Sequence, residues 1–243
     1  YNRGKASVVS VVVLCIIKAM SIRPVPFLVG EYYHLYNRGN DKRIIFLDGH
    51  DFKRFMLLLY ICNSTDPFHM ASFFNRGLAS VEIFSVKRTN TLVDIGVYCS
   101  MPNHFHILVH EKTEGGISVF MQKLSTAYSM YFNKRYGRSG SLFEGKFKAK
   151  HIDNEPYFNW VFSYIHLNPV KLVEPTWKEN GIGNPDQAKK FMNEYHYSSY
   201  HDYFIGDRPE SAVLNKDAFP EHFGQMNDFQ NLIEQFKTGI QQY

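Results

Sequence analysis

The stretch Thr91 to His110, TLVDIGVYCSMPNHFHILVH, holds two apolar runs separated by little more than Met101-Pro102-Asn103. A connection that short returns the chain antiparallel to itself, because a parallel crossover needs a dozen residues or more. The spacing predicts a hairpin: a strand from Thr91 to Cys99, a tight turn at 101–103, and a strand from His104 to His110. No arrangement of the chain can separate these two strands.

The flanking sequence extends the pattern. Glu31 to Arg38 (EYYHLYNR) alternates, is rich in aromatics, and ends at Gly39-Asn40, which reads as a strand. From Asp48 to Ile61, residues Phe52, Phe55, Met56 and Leu59 recur at helical spacing, with Asp48 as N-cap. Residues 62–90 are less regular and read as an insertion. A helix is predicted from Ile117 to Arg135, broken by Gly137 to Gly140, then a strand from Ser141 to His151 with alternating lysines. Pro156 suits the first turn of a helix from Glu155 to Leu167, which Asn168-Pro169 stops. The order βαββαβα predicts an α+β fold: a ferredoxin-like (RRM-like) antiparallel sheet with helices packed on one face. Beyond residue 174 the chain turns polar and Tyr-rich, as a C-terminal extension (174–243) packing on a core of residues 20–173.

Charge is distributed unevenly. The net value is +4, yet residues 1–173 carry 21 Lys/Arg against 12 Asp/Glu, and residues 174–243 carry 6 against 11. A basic body suits a polyanionic partner. The 16% aromatic content is either a Tyr/Phe-rich core or a surface on which bases stack. Cys15, Cys62 and Cys99 are scattered, with no CxxC pair, which disfavours a disulfide framework and fits a cytoplasmic setting. The apolar run Ala6 to Ile17 is about half the length a membrane helix needs, so no membrane partner is expected. Residues 1–19 are read as a non-core N-terminal extension.

Two short segments carry the chemistry. His104 and His106 sit at i and i+2 of a strand, so both project to one face while Phe105 projects to the other. Paired imidazoles can chelate one divalent ion, or can simply be exposed or internally satisfied. In SYIHLNPV, Tyr164 and Asn168 are spaced i, i+4 and share a helix face. An amide oxygen from Asn168 added to two imidazoles makes a set suited to Mg²⁺ or Mn²⁺. Tyr164 would then present its phenol beside that ion as a nucleophile toward a phosphodiester, conserving the bond energy in a phosphotyrosine link. Tyr128 and Tyr131 compete for that role, but their apolar helical face favours core packing. No P-loop and no GxGxxG followed by an acidic residue is present.

NHFHILV, YIHLNPVK and the opening strand YHLYNRGN, in this order and separation, resemble the HUH single-strand DNA transposases of the IS200-like type, and within them the REP-associated tyrosine transposases. Tyr195 to Tyr200 (YHYSSY) is similar to a W/Y-S-S-Y motif of that group. The resemblance implies an endonuclease and strand transferase that recognises imperfect hairpins, such as REP-like repeats, in single-stranded DNA. It would leave a 5′-phosphotyrosine and a free 3′-OH. It also implies His104, His106 and Asn168 as metal ligands and Tyr164 as the nucleophile. Many insertion-sequence relatives carry glutamine at the last ligand position. The long extension favours the monomeric state of the REP-associated group over the dimers of the insertion-sequence branch.

Basic residues that could track DNA are Arg38, Lys42 and Arg43 after the first strand, and Lys123, Arg135, Arg138, Lys146, Lys148 and Lys150. The second set is also what an ordinary solvated face looks like. Two other readings stand beside the nuclease: a ferredoxin-like module that only binds nucleic acid, including a domesticated, non-cleaving transposase, and a phosphodiesterase in which water attacks.

Overall fold

The computed structural model describes residues 26–66, 81–221 and 228–240. The 1–19 extension and residues 67–80 of the 62–90 insertion lie outside the described residues. Four strands, β1 (Tyr32–Arg38), β2 (Val93–Met101), β3 (His104–Glu111) and β4 (Lys148–Ile152), form one antiparallel sheet in the order β2-β3-β1-β4. Helices α1 (Gly49–Cys62) and α2 (Gly116–Arg135) are the crossovers of the ferredoxin-like plan. They pack on one face, against Phe105, Ile107 and Val109 of β3 and Leu35 of β1. A further helix, α3 (Glu155–Leu167), covers the opposite face, where it meets Leu108, Val97 and Cys99. No helix among the described residues is long and apolar enough to cross a membrane.

Local chemistry explains the boundaries. Asp48 caps α1 by accepting from the backbone N–H groups of His50 and Asp51. Asn154 does the same for α3 through Tyr157, with Pro156 in the first turn. In β2 every residue is buried, which an alternating strand with one wet face would not be. The register shifts at a bulge between Ile95 and Val97, so Val93, Ile95 and Tyr98 join the α1/α2 core while Val97, Cys99 and Met101 join the α3 core. Gly96 sits in that bulge because a Cβ there would stand 2.7 Å from the Phe219 ring.

The structure corrects two sequence-based boundaries. The hairpin turn is only Pro102-Asn103, and β2 runs through Met101. The strand expected from Ser141 begins at Lys148. Gly140 and Gly145 adopt positive φ, 84° and 75°, which breaks the pleat, while Leu142 and Phe143 turn inward to the core.

Residues past 174 form α4 (Trp177–Asn180), α5 (Pro185–Glu194), α6 (Tyr200–Phe204) and α7 (Phe229–Ile240), the last against α3. Residues 197–199 lie along the outer edge of β2. Ser100 N donates to the Tyr197 carbonyl at 3.0 Å, Ser199 N donates to the Tyr98 carbonyl at 2.9 Å, and Cys99 bridges Ser198. Arg208 staples this segment, donating to Asp202, to the Ser198 carbonyl and to the Tyr98 hydroxyl.

Candidate nuclease site

The α3 face of the sheet holds an imidazole cluster. Register pairs Arg38 with His104, Tyr36 with His106 and His34 with Leu108, so β1 and β3 present His34, Tyr36, His104 and His106 to the same side. His34 Nε2 and His106 Nδ1 lie 2.8 Å apart, and the Tyr164 ring stands 5.3 Å from that of His106. Helix α3 ends at this point, and Asn168, its C-cap, brings Oδ1 to 3.3 Å from His104 Nε2. Phe105 points the other way, into the α1/α2 core.

The hydrogen bonds define which nitrogens are free. Asn103 donates through Nδ2 to the Lys42 carbonyl, so its Oδ1, 2.7 Å from His104 Nδ1, accepts the proton there. Burial pulls the His104 pKa down to about 4, and the imidazole is neutral at pH 7. His104 Nε2 therefore offers a bare lone pair, and it faces the Asn168 oxygen, a second lone-pair donor. Asn168 Nδ2 is buried without a partner. A cation between His104 Nε2 and Asn168 Oδ1 would satisfy both acceptors, as would the amide turned to donate through Nδ2. His106, also held neutral by burial, offers Nε2 when its Nδ1–H donates to His34. This donor set of two imidazoles and an amide oxygen fits Mg²⁺ or Mn²⁺. Among the described residues no group of three or more His, Cys, Asp or Glu has metal-holding geometry. Here the third donor is an amide.

Tyr164 is half-buried and fixed by stacking. Its ring lies parallel to that of Trp160, 4.9 Å away at 4°. Burial raises its pKa, and the neighbouring Asn168 amide works against that rise. Lys178 Nζ donates to the Tyr164 hydroxyl at 2.8 Å. The competing tyrosines are occupied elsewhere: Tyr128 is buried and donates to the Ile45 carbonyl, and Tyr131 donates to Asp51.

A cleft of about 450 Å³ opens over the cluster, lined by His104, His106 and Tyr164 together with Arg38, Lys42, Lys148, Lys171, Lys178 and a single acid, Glu144. Of the basic residues picked from sequence, Arg38, Lys42 and Lys148 reach this cleft. Arg38 is held by both carboxylate oxygens of Glu144. Arg43 folds back on its own turn, toward the Asn40 carbonyl and Asp41. Lys146 is exposed on the loop before β4, and Lys150 lies 4.3 Å from the Tyr157 ring centre. Lys123, Arg135 and Arg138 are not brought to the cleft, because α2 covers the opposite face of the sheet. Lys123 donates to the Ser64 carbonyl, Arg135 pairs with Asp48 and Asp51, and Arg138 stacks on Phe132.

His34, Lys171 and Lys178 were given no role by sequence reasoning. His34 belongs to the quoted strand EYYHLYNR, and its alternation with Tyr36 was the available signal. Lys171 and Lys178 follow the last motif, and no local pattern marks them. His166, on α3, is fully buried, bonded to Ser199 Oγ at 2.9 Å, and takes no part in the cleft.

Residues 78–168 match the model of a family described as IS200-like transposases. The span contains β2, β3, α2, β4 and α3 with His104, His106, Tyr164 and Asn168, and it ends at Asn168. No curated protein matches the sequence. Solved structures also show a likeness, two of which follow. One is a REP-associated tyrosine transposase bound to a REP hairpin, with 13% identity, a TM-score of 0.46, and coverage of 76% of this chain and 85% of that one. The other is the tRNA(His) guanylyltransferase of Saccharomyces cerevisiae, with 12% identity, a TM-score of 0.29, and coverage of 85% and 88%.

Proposed function

We propose, from the IS200-like transposase match over residues 78–168, that the chain is a metal-dependent single-stranded DNA endonuclease and strand transferase acting at imperfect hairpins. The observation that carries the reading is the convergence of the Tyr164 hydroxyl, the Asn168 amide and the His104 and His106 imidazoles at one end of a basic cleft. His104 Nε2, His106 Nε2 and Asn168 Oδ1 would hold Mg²⁺ or Mn²⁺. Bound there, the ion would neutralise and polarise the scissile phosphodiester.

The chain's own residues supply the rest. Asn103 fixes the His104 tautomer, and with His34 Nε2 accepting from His106 Nδ1–H both rings would keep a nitrogen free. Stacking on Trp160 fixes the direction of the Tyr164 hydroxyl. Attack by Tyr164 Oη on phosphorus breaks the P–O3′ bond, giving a 5′-phosphotyrosine and a 3′-hydroxyl. A 3′-hydroxyl attacking that link reverses the step and joins strands without a nucleotide cofactor. Lys42, Lys148 and Lys171, with Arg38, provide phosphate contacts along the strand.

The test uses single-stranded oligonucleotides from the DNA flanking the gene, labelled at either end, with Mn²⁺ or Mg²⁺. The expected result is a denaturation-resistant adduct on the 3′-side fragment, absent with EDTA and with Tyr164→Phe, while Tyr164→Phe still binds the DNA. Cleavage that persists in Tyr164→Phe without an adduct would identify water as the nucleophile. Binding without cleavage would identify a binding module.

A further inference from the structure

Lys178 comes from outside the matched span. It lies on α4, ten positions beyond the last matched residue, Asn168. Its neighbour Trp177 is 1% exposed and packs on Phe236 of α7 with ring centres 4.6 Å apart. Phe236 in turn stacks on Tyr164 and Trp160. The turn after α4 is tied down by Glu174, whose carboxylate accepts from the N–H groups of Gly183 and Asn184. Lys178 is therefore delivered from a fixed base. Its ammonium makes two contacts with one residue: 2.8 Å to the Tyr164 hydroxyl and 4.2 Å to the centre of the same ring. It is set over the phenol, at the atom where negative charge gathers when the O–H bond is broken.

We infer that Lys178 is a catalytic residue of the tyrosine reaction, its ammonium holding the charge on Tyr164 Oη whenever that oxygen enters or leaves phosphorus. The inference rests on the nuclease reading above. In the forward step the phenol proton passes to water in the cleft, the Oη–P bond forms, the P–O3′ bond breaks, and the leaving 3′-oxygen takes a proton from water. In the reverse step the 3′-hydroxyl loses its proton to water and attacks, and the Oη–P electron pair returns to a phenoxide that Lys178 stabilises as leaving group. A positioned cation at a developing oxyanion acts more strongly in a half-buried site than in bulk water. Lys171 reaches Tyr164 only through its charge, and with Lys42 and Lys148 it lines the cleft for the DNA backbone.

The experiment measures single-turnover adduct formation and strand rejoining on the flanking-DNA oligonucleotides, for the full chain and for Lys178→Met and Lys178→Arg. Thermal melts establish that both variants fold. Lys178→Met should slow both directions by on the order of 100-fold, the usual loss when one oxyanion donor is removed. The DNA dissociation constant and its salt dependence should hold, whereas a phosphate-binding lysine would move both. Lys178→Arg should recover most of the rate. Replacing Tyr164 by 3,5-difluorotyrosine, a less basic phenoxide, should shrink the Lys178→Met deficit. Wild-type adduct with an unchanged rate in Lys178→Met overturns this inference alone, as does an equal deficit with the fluorinated tyrosine. No adduct from the wild-type chain overturns the tyrosine-nuclease reading and this inference with it.

Discussion

The buried histidines make metal-free stability steeply pH-dependent. His34 and His166 are held by burial at about 3, His104 at about 4, and His106 well below the ordinary 6.5. His34, His104 and His166 are neutral in the folded chain at pH 5, whereas in the unfolded chain each binds a proton as the pH falls through 6.5. The unfolded state then holds more protons, so stability declines as pH drops from about 6.5 toward 4 and is untouched above 7.5. At pH 5, 1.5 units below 6.5, each histidine costs about 2 kcal/mol relative to pH 8. Three such groups sum to roughly 6 kcal/mol, with His106 acting in the same direction, comparable with the whole stability of an ordinary domain, which is about 5–15 kcal/mol. The bonded pair His34–His106 is the member least expected to add simply. Guanidinium titrations in EDTA at pH 8, 6.5 and 5 measure the decline directly. His166 lies away from the cleft, so His166→Gln should flatten the profile by one histidine's share, about 2 kcal/mol. Stability at pH 5 within about 1 kcal/mol of its value at pH 8 would refute the argument, since it would mean these rings accept protons without unfolding.

Two further substitutions separate the sheet's faces and its bulge. Lys148→Ala should weaken single-stranded DNA binding and lower the salt slope by about one, while Lys123→Ala, on the opposite face, should change neither in filter-binding titrations. Gly96→Ala drives a methyl into the Phe219 ring and should cost about 2 kcal/mol in chemical denaturation, with no change in secondary-structure content by circular dichroism.

Much of the core was legible because its signals are local. The hairpin, the Asp48 and Asn154 caps and the Pro169 stop each depend on neighbours a few residues away. The side of the sheet that α3 covers was not legible. Tyr157, Phe158, Val161, Phe162, Ile165 and Leu167 bury almost every side of that helix, so no amphipathic stripe says where it packs. The start of β4 was hidden for another reason, since alternating Phe and Lys from 141 to 150 mimics a strand that glycine conformations interrupt. At the site, the i, i+2 rule placed His104 and His106 together without help from tertiary structure. His34 needed the strand order, because only β1 lying beside β3 brings it onto His106. Lys178 needed the packing of Trp177 on Phe236, a contact between segments far apart in the chain.

The closure of the β2 edge by residues 197–199 has a consequence in time. Tyr98 and Ser199 are 101 positions apart. A ribosome adding about 5–20 residues per second takes roughly 5–20 s to cover that distance. Throughout that interval the nascent sheet presents an unpaired, apolar edge strand, the kind of surface on which neighbouring chains nucleate aggregates. Crowding of translating ribosomes on one message is then a condition that brings such edges from neighbouring chains together.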